Sequence, residues 1–373
     1  MTDYHCPMCD VRSPVGEAEW SCPECRGPWD LDYTASPVPL DVLPQRVNSL
    51  WRYEEALPLT AADATRGLGA VSLGEGRTPL VPLTDHVTAK LDFLMPTLSF
   101  KDRGAVVLAE LARRIEPRRV IADSSGNAGT AIAAYCARAG LDCTVYVPDT
   151  TSRKKVEQIS AHGARLEIVP GGREAAARAA RAAAGKGGVF YASHVYNPYF
   201  LHGTKTYVYE VWEDLGGRLP QALVVPVGNG TLLLGASLAI GELLAHGLID
   251  EQPALIAVQA EAVAPLATAF RAGADDVLAP AAAVPTLAEG IAIPDPPRAR
   301  QVLDAVRTSG GTFHTVTEEQ IRAAQLDLAG RGLYVESTGA ACWAAARAHG
   351  LDGRSAVVPL CGAGAKTGLP PRS

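Results

Sequence analysis

The stretch RRVIADSSGNAGTAIAAYCARAG, Arg118–Gly140, contains one complete strand–turn–helix unit. RRVIAD is a short β-rich run and SSGNAG is a tight turn. TAIAAYCARAG then carries apolar residues on one helical face and stops at Gly140, a residue suited to a left-handed helix cap. The unit repeats downstream as strand CTVYVP, helix TSRKKVEQISAHG, strand RLEIVP, helix REAAARAARAAAG and strand VFYAS. From residue 222 a second series opens with strand ALVVPV, loop GNGT, helix LLLGASLAIGELLAHG and strand ALIAVQA. Strands alternating with helices of this length predict parallel sheets with helices on both faces, hence two doubly wound α/β domains. In such sheets ligands sit outside the carboxyl ends of the strands, so the glycine-rich turns there are the places to look for binding.

A chain of 373 residues suits two domains and an appendage. We divide it into an N-terminal segment 1–35, a smaller α/β domain 101–210, and a large α/β domain built from 36–100 and 211–373. Residues 36–100 read as Pro-rich and irregular. The net charge of −6 and the lack of a basic stripe interleaved with aromatics argue against a nucleic-acid partner. No apolar run approaches the roughly 20 residues of a membrane span. MTDYHCPMCD has neither a basic nor an apolar leader region, so a cytoplasmic location is expected.

Four of the eight cysteines fall in the first 25 residues, as CPMC (Cys6, Cys9) and CPEC (Cys22, Cys25). Two C-x-x-C knuckles at this spacing predict a zinc ribbon, because four thiolates can share one tetrahedral Zn2+ and leave no open position for substrate. The segment between them, DVRSPVGEAEWS, fits a short hairpin. A redox dithiol pair and a ribbon without metal are the alternatives. Cys136, Cys143, Cys342 and Cys361 lie in apolar segments and suit buried positions.

SSGNAG (Ser124–Gly129) and GNGT (Gly228–Thr231) each follow a strand and open a helix. Such turns present backbone N–H groups and a helix dipole to an anion. Neither matches the nucleotide patterns G-x-x-x-x-G-K-[ST] or G-x-G-x-x-G, so a different phosphate-bearing ligand is suggested. A third glycine-rich turn, PLCGAGAKTG (Pro359–Gly368), follows the strand SAVVPL.

Read with PTLSFKDRGA (Pro96–Ala105), these turns resemble the fold-type II pyridoxal-phosphate enzymes, and within them the threonine synthase-like branch. PTLSFKDRGA resembles the family's Pro-Thr-Gly-Ser-Phe-Lys-Asp-Arg-Gly signature, SSGNAG its Ser-x-Gly-Asn loop and VPVGNGTLLLGA its phosphate loop. NPYFLHGTKT and LYVESTGAACWAAA resemble further segments of threonine synthases, and an N-terminal zinc ribbon also occurs in that branch. The resemblance runs from about residue 70 onward.

The resemblance implies that Lys101 forms an imine with the aldehyde of pyridoxal 5'-phosphate, which requires a neutral amine. Phe100 and Gly290 would face the two sides of the pyridine ring, and Asn127 its phenolic oxygen. Gly228, Asn229, Gly230, Thr231 and Leu232 would form the phosphate cradle. Ser124, Ser125, Gly126, Asn127 and Ala128 would hold the substrate carboxylate. Cys361 stands where the family places Ser or Thr against the pyridine nitrogen, and a thiol is a weaker hydrogen-bonding partner. That favours prompt loss of a leaving group over transamination. A small amino-acid substrate and a homodimer are implied.

Three positions depart from the pattern. The phosphate-binding arginine of the family's Asn-Pro-x-Arg segment is replaced by Phe200, and a nearby serine by Val195. The signature glycine is replaced by Leu98. Arg103, Lys154 and Lys205 are the cations that could serve instead. His194 and His202 flank the segment as acid–base candidates or as structural histidines. The readings are therefore a threonine synthase-like lyase or synthase acting on an O-activated or hydroxy amino acid, a serine/threonine ammonia-lyase or a cysteate/cysteine synthase-like β-replacement enzyme, and a non-catalytic ligand-sensing or interaction protein on this scaffold.

Overall fold

The computed structural model describes residues 2–16, 19–59, 70–184, 186–282 and 284–368. By contact the chain divides into two units, Met1–Gly76 with Lys101–Thr204, and Arg77–Phe100 with Lys205–Ser373. Among the described residues no helix is long and apolar enough to cross a membrane.

The N-terminal segment holds three two-residue strands, β1 (Tyr4–His5), β2 (Arg12–Ser13) and β3 (Asp30–Leu31), paired antiparallel in the order β2–β1–β3. The expected hairpin at 10–21 includes residues 17–18, outside the described residues. The observed hairpin is β1–β2, which brackets the first cysteine knuckle. Strands β4 (Leu80–Pro82) and β5 (Val87–Lys90) follow, in a stretch whose local pattern showed none. β5 forms because β13 offers it a parallel partner, Ala356 opposite Val87 through Pro359 opposite Lys90.

The next elements are α1 (Lys101–Ile115), β6 (Arg119–Ala122), α2 (Asn127–Ala139), β7 (Cys143–Pro148), α3 (Arg153–Ala161), β8 (Arg165–Val169), α4 (Gly172–Ala184), β9 (Val189–Tyr191) and α5 (Tyr199–Thr204). Their strands make a parallel sheet in the order β8–β7–β6–β9. The order reverses between β6 and β9, so the loops after these two strands flank the crevice where ligands bind in doubly wound sheets.

The second unit adds α6 (Thr206–Asp214), β10 (Ala222–Pro226), α7 (Thr231–Ala245), β11 (Ala254–Ala260), α8 (Pro265–Arg271), α9 (Ala299–Thr308), β12 (Thr312–Val316), α10 (Glu318–Gly330), α11 (Ser337–His349) and β13 (Ala356–Pro359). Its sheet runs β12–β11–β10–β13–β5–β4, parallel except for the edge strand β4. β10 and β11 are buried along their whole length, which is why they read as continuous apolar runs. Here the reversal lies between β10 and β13, so the loops after Pro226 and Pro359 flank this sheet's crevice.

The sequence division placed 36–100 with the large domain; by contact, residues up to Gly76 go with the first unit. Glu75 is the reason. It is fully buried and accepts hydrogen bonds from Trp51 Nε1 at 2.9 Å, Ser72 Oγ at 2.9 Å, Leu73 N at 2.8 Å and Tyr135 Oη at 3.0 Å. Each buried donor left without that carboxylate would cost about 1–3 kcal/mol, so the segment is tied to α2. The later seam falls at Lys205 rather than 211, because Lys205 Nζ is bonded to Glu242 of α7 at 2.6 Å. Of residues 60–69, also read as irregular, nothing is described.

Candidate active site

In the first unit Lys101 opens α1 and is half-buried, its Nζ 5.5 Å from the centre of the Phe200 ring. Phe200 is wholly buried on α5. It fits there because of Gly104, one turn beyond Lys101, where a Cβ would lie 2.5 Å from the ring. The two helices approach again at Gly203, where a Cβ would lie 2.1 Å from the Arg103 carbonyl oxygen. The Phe200 ring thus fills the space above Gly104 beside Lys101, at the position where the resemblance would place a cation.

The loop after β6 carries Ser124–Gly126 into α2. Gly126 N–H donates to Ser124 Oγ at 3.3 Å, and no side chain caps the helix that begins at Asn127. Its positive end is therefore suited to an anion such as a carboxylate. Gly129 keeps the turn tight: a Cβ there would lie 1.7 Å from the Ser124 carbonyl oxygen, so no other residue fits.

The loop after β9 brings His194 edge-on to Phe200, with ring centres 5.8 Å apart, and buries Val195. Burial first, then the charges of Lys101 and Arg173, hold the His194 imidazole neutral, its pKa well below the usual value. Burial also pushes the Asp123 carboxyl up, against a hydrogen bond from Tyr191 and the charges of Arg173 and Arg181. Arg173 is exposed. It is the second residue of α4, at the carboxyl end of β8, after Gly171 and Gly172 with φ of 99° and 80°.

Of the proposed substitute cations, Arg103 is fully buried within α1 and Lys154 is exposed on α3. Lys205 belongs to the second unit, where Tyr209 Oη also donates to its partner Glu242, at 2.8 Å. Burial lowers the Lys205 pKa despite that partner. His202 is buried with Tyr33 edge-on at 5.3 Å, which suits a structural histidine.

The second unit assembles the remaining residues around its own switch point. Gly228 and Gly290 come together: a Cβ on Gly228 would lie 2.9 Å from Ile291 Cα and 3.1 Å from the Gly290 carbonyl oxygen. Gly230 adopts φ 80° and leads into α7, whose N-terminus has no side-chain cap. Leu232 is buried, so only its backbone is available to a ligand. Gly290 N–H donates to Thr338 Oγ1 at 3.2 Å. On the other side of the switch point Cys361 is buried, its Sγ donating to the Pro359 carbonyl oxygen at 3.7 Å. Its own carbonyl accepts from Phe100 N–H at 2.9 Å, and Ser99 bridges to Gly362. Ser99 Oγ is buried without a hydrogen-bond partner.

Residues 71–362 match the family model described as pyridoxal-phosphate dependent enzyme. The chain belongs to that family. It is 32% identical to the threonine synthase of Methanosarcina acetivorans over 359 residues, covering 92% of this chain and 86% of that one. Identity to the threonine synthase of Methanocaldococcus jannaschii is 33% over 349 residues, covering 90% and 84%. The crystal structure of a T.th. threonine deaminase superposes with a TM-score of 0.67 at 27% identity, covering 77% of this chain and 92% of that chain. A processed threonine deaminase isoform from Solanum lycopersicum shares the fold at a TM-score of 0.68 and 21% identity, covering 89% and 92%.

The residues present fit this family's cofactor. An uncapped helix start after Gly228–Gly230 suits a phosphate, and Ser99 Oγ is a buried polar atom without a partner. A separate cluster lies in the N-terminal segment of this family member. The Sγ atoms of Cys6, Cys9, Cys22 and Cys25 all lie within 4.8 Å of one another, with Cys6–Cys25 and Cys9–Cys22 each at 3.4 Å. Tetrahedral zinc, with Zn–S of about 2.3 Å, would set these separations at about 3.8 Å. Burial raises the Cys22 thiol, but N–H groups of Cys25 and Glu24 and the Cys9 thiol outweigh it and bring the pKa down to about 7. Burial and a hydrogen bond with Cys25 push the Cys6 thiol up, and the bond with Cys22 pushes Cys9 up to about 12, so Cys22 is the thiol that gives up its proton most readily.

Proposed function

We propose that this enzyme is a lyase or synthase of the elimination and replacement class, acting on a small α-amino acid whose leaving group is neutral or weakly charged. The observation that carries this is Phe200. A fully buried aromatic ring above Gly104, beside Val195 and a neutral His194, offers no charge-assisted hydrogen bond to a phosphate dianion. Bringing a dianion into such surroundings removes hydration that nothing restores.

The cofactor, when bound, supplies an electron sink for negative charge developing at the substrate α-carbon. Lys101 Nζ is its covalent anchor and the group that takes and returns the α-proton. Gly228, Asn229, Gly230, Thr231 and the Leu232 N–H would hold the phosphate, with Asn127 on the ring oxygen and Phe100 and Gly290 on the ring faces. Ser124, Ser125, Gly126 and Ala128 would orient the substrate carboxylate at the start of α2. Cys361, its thiol hydrogen directed at Pro359, offers the ring nitrogen no charged partner. That supports early departure of the leaving group over transamination. Cys6, Cys9, Cys22 and Cys25 would hold one structural Zn2+, checked by metal analysis of protein purified without chelator.

A substrate panel tests the reading. O-Phosphohomoserine, serine, threonine and O-acetylserine are scored for release of phosphate, ammonia and keto acid. The uncharged substrates should be turned over best. Efficient threonine formation from O-phosphohomoserine would overturn it.

A further inference from the structure

The cysteine-rich segment is more than an appendage, because of where its aromatic residues go. Tyr4, on β1 two residues before Cys6, is buried and stacks on Trp29 with ring centres 5.5 Å apart. Its hydroxyl accepts a hydrogen bond from Asn197 Nδ2 at 3.1 Å. The Trp29 backbone N–H, four residues beyond Cys25, donates to the Tyr196 carbonyl oxygen at 3.1 Å. Trp20, two residues before Cys22, lies edge-on to Tyr191 at 5.6 Å and to Tyr196 at 5.2 Å. All these contacts land on the strand end and loop 191–197.

The same loop leads to the wall beside Lys101, made by Phe200 with His194 edge-on to it. Asn197 Oδ1 accepts from Tyr199 N–H at 3.0 Å, and Ser193 Oγ accepts from Tyr196 N–H at 3.2 Å, so the loop is internally braced. It delivers His194 and Val195 directly, and Phe200 as the second residue of α5. Tyr191, held by Trp20, is hydrogen-bonded to Asp123, which immediately precedes Ser124. The four cysteines fix the backbone from which Tyr4, Trp20 and Trp29 project. A segment with so small a core depends on its crosslink for shape.

We propose that the cysteine-rich segment positions the β6–β9 switch-point loops, with Tyr4 and Trp20 as the positioning residues through which metal occupancy reaches the wall beside Lys101. The proposal rests on the reading of Lys101 and its surroundings as the substrate site. Its structural half stands without that reading.

Tyr4→Phe tests it, because it keeps the ring on Trp29 and removes only the acceptor of Asn197. In the full-length holoenzyme, amides of residues 195–200 should exchange hydrogen about five- to tenfold faster, the effect of losing one buried hydrogen bond. KM should rise several-fold, with kcat and the visible cofactor band little changed. Removing metal with a chelator should accelerate the same amides in wild type. Trp20→Leu should do so at both 191–197 and 123–126. Met8→Ala, on an exposed side chain, should change nothing. Unchanged exchange at 195–200 in both Tyr4→Phe and chelated protein would overturn the proposal. Faster exchange with unaltered KM for every turned-over substrate would keep the mechanical coupling and overturn its link to substrate. A wild-type protein with no visible band would sink the site reading instead, leaving the exchange data to decide the coupling.

Discussion

Gly104→Ala probes the feature on which the substrate reading rests. The new Cβ would sit 2.5–2.6 Å from three atoms of the Phe200 ring, where ordinary contact begins at 3.4 Å. The ring must withdraw by about 0.9 Å, yet it is wholly buried with His194 edge-on against it. Overpacking of this kind costs about 1–3 kcal/mol, even though alanine is a better helix former than glycine by about 1 kcal/mol. In a Phe200→Ala background the three offending atoms, Cγ, Cδ1 and Cδ2, are gone. The same substitution should then be neutral or stabilising by up to about 1 kcal/mol. The two changes should couple by about 2–3 kcal/mol in a double-mutant cycle measured by urea denaturation. In the single variant KM should also rise, because the displaced ring lies beside Lys101. Equal cost of Gly104→Ala in both backgrounds would refute the argument that this glycine exists to admit Phe200.

Other outcomes follow from single residues. Lys101→Ala should abolish the visible cofactor band, and an unchanged reducible imine in that variant would exclude Lys101 as the anchor. His194 is held neutral, with a folded pKa below its unfolded value of about 6.5. Its contribution to stability is therefore complete above about pH 6.5 and lost as pH falls toward the folded value. His194→Gln should flatten the fall in urea midpoint between about pH 7 and 5, and an identical slope would count against the buried neutral imidazole. Leu98 has φ 63° and is 41% exposed, so Leu98→Gly should relieve left-handed strain at little packing cost. Strain of about 1–2 kcal/mol, less the added chain entropy of glycine, predicts a net gain of about 0.5–1 kcal/mol in denaturation.

Much of this protein was written into local sequence. The strand–turn–helix periods between Arg118 and Ala260 are visible because strands buried on both faces, such as β10 and β11, must be apolar throughout and their helices on one face. The three glycine-rich turns are visible because tight strand-to-helix turns admit little else. The four N-terminal cysteines were legible because a tetrahedral ion needs paired knuckles. Other features are decided at a distance. β5 is a strand because β13 lies beside it, and residues up to Gly76 join the first unit through distant partners, Tyr135 for Glu75 and Asn197 for Tyr4. Lys205 looked available and is held by Glu242. Phe200 was legible as a missing arginine, but its meeting with Gly104 was not, and neither was the grip of Tyr4 and Trp20 on the loop before it. Periodicity and turn chemistry act over a few residues and leave a trace in order. Pairing of charges and filling of space depend on which residues fold together, and that only the tertiary structure decides.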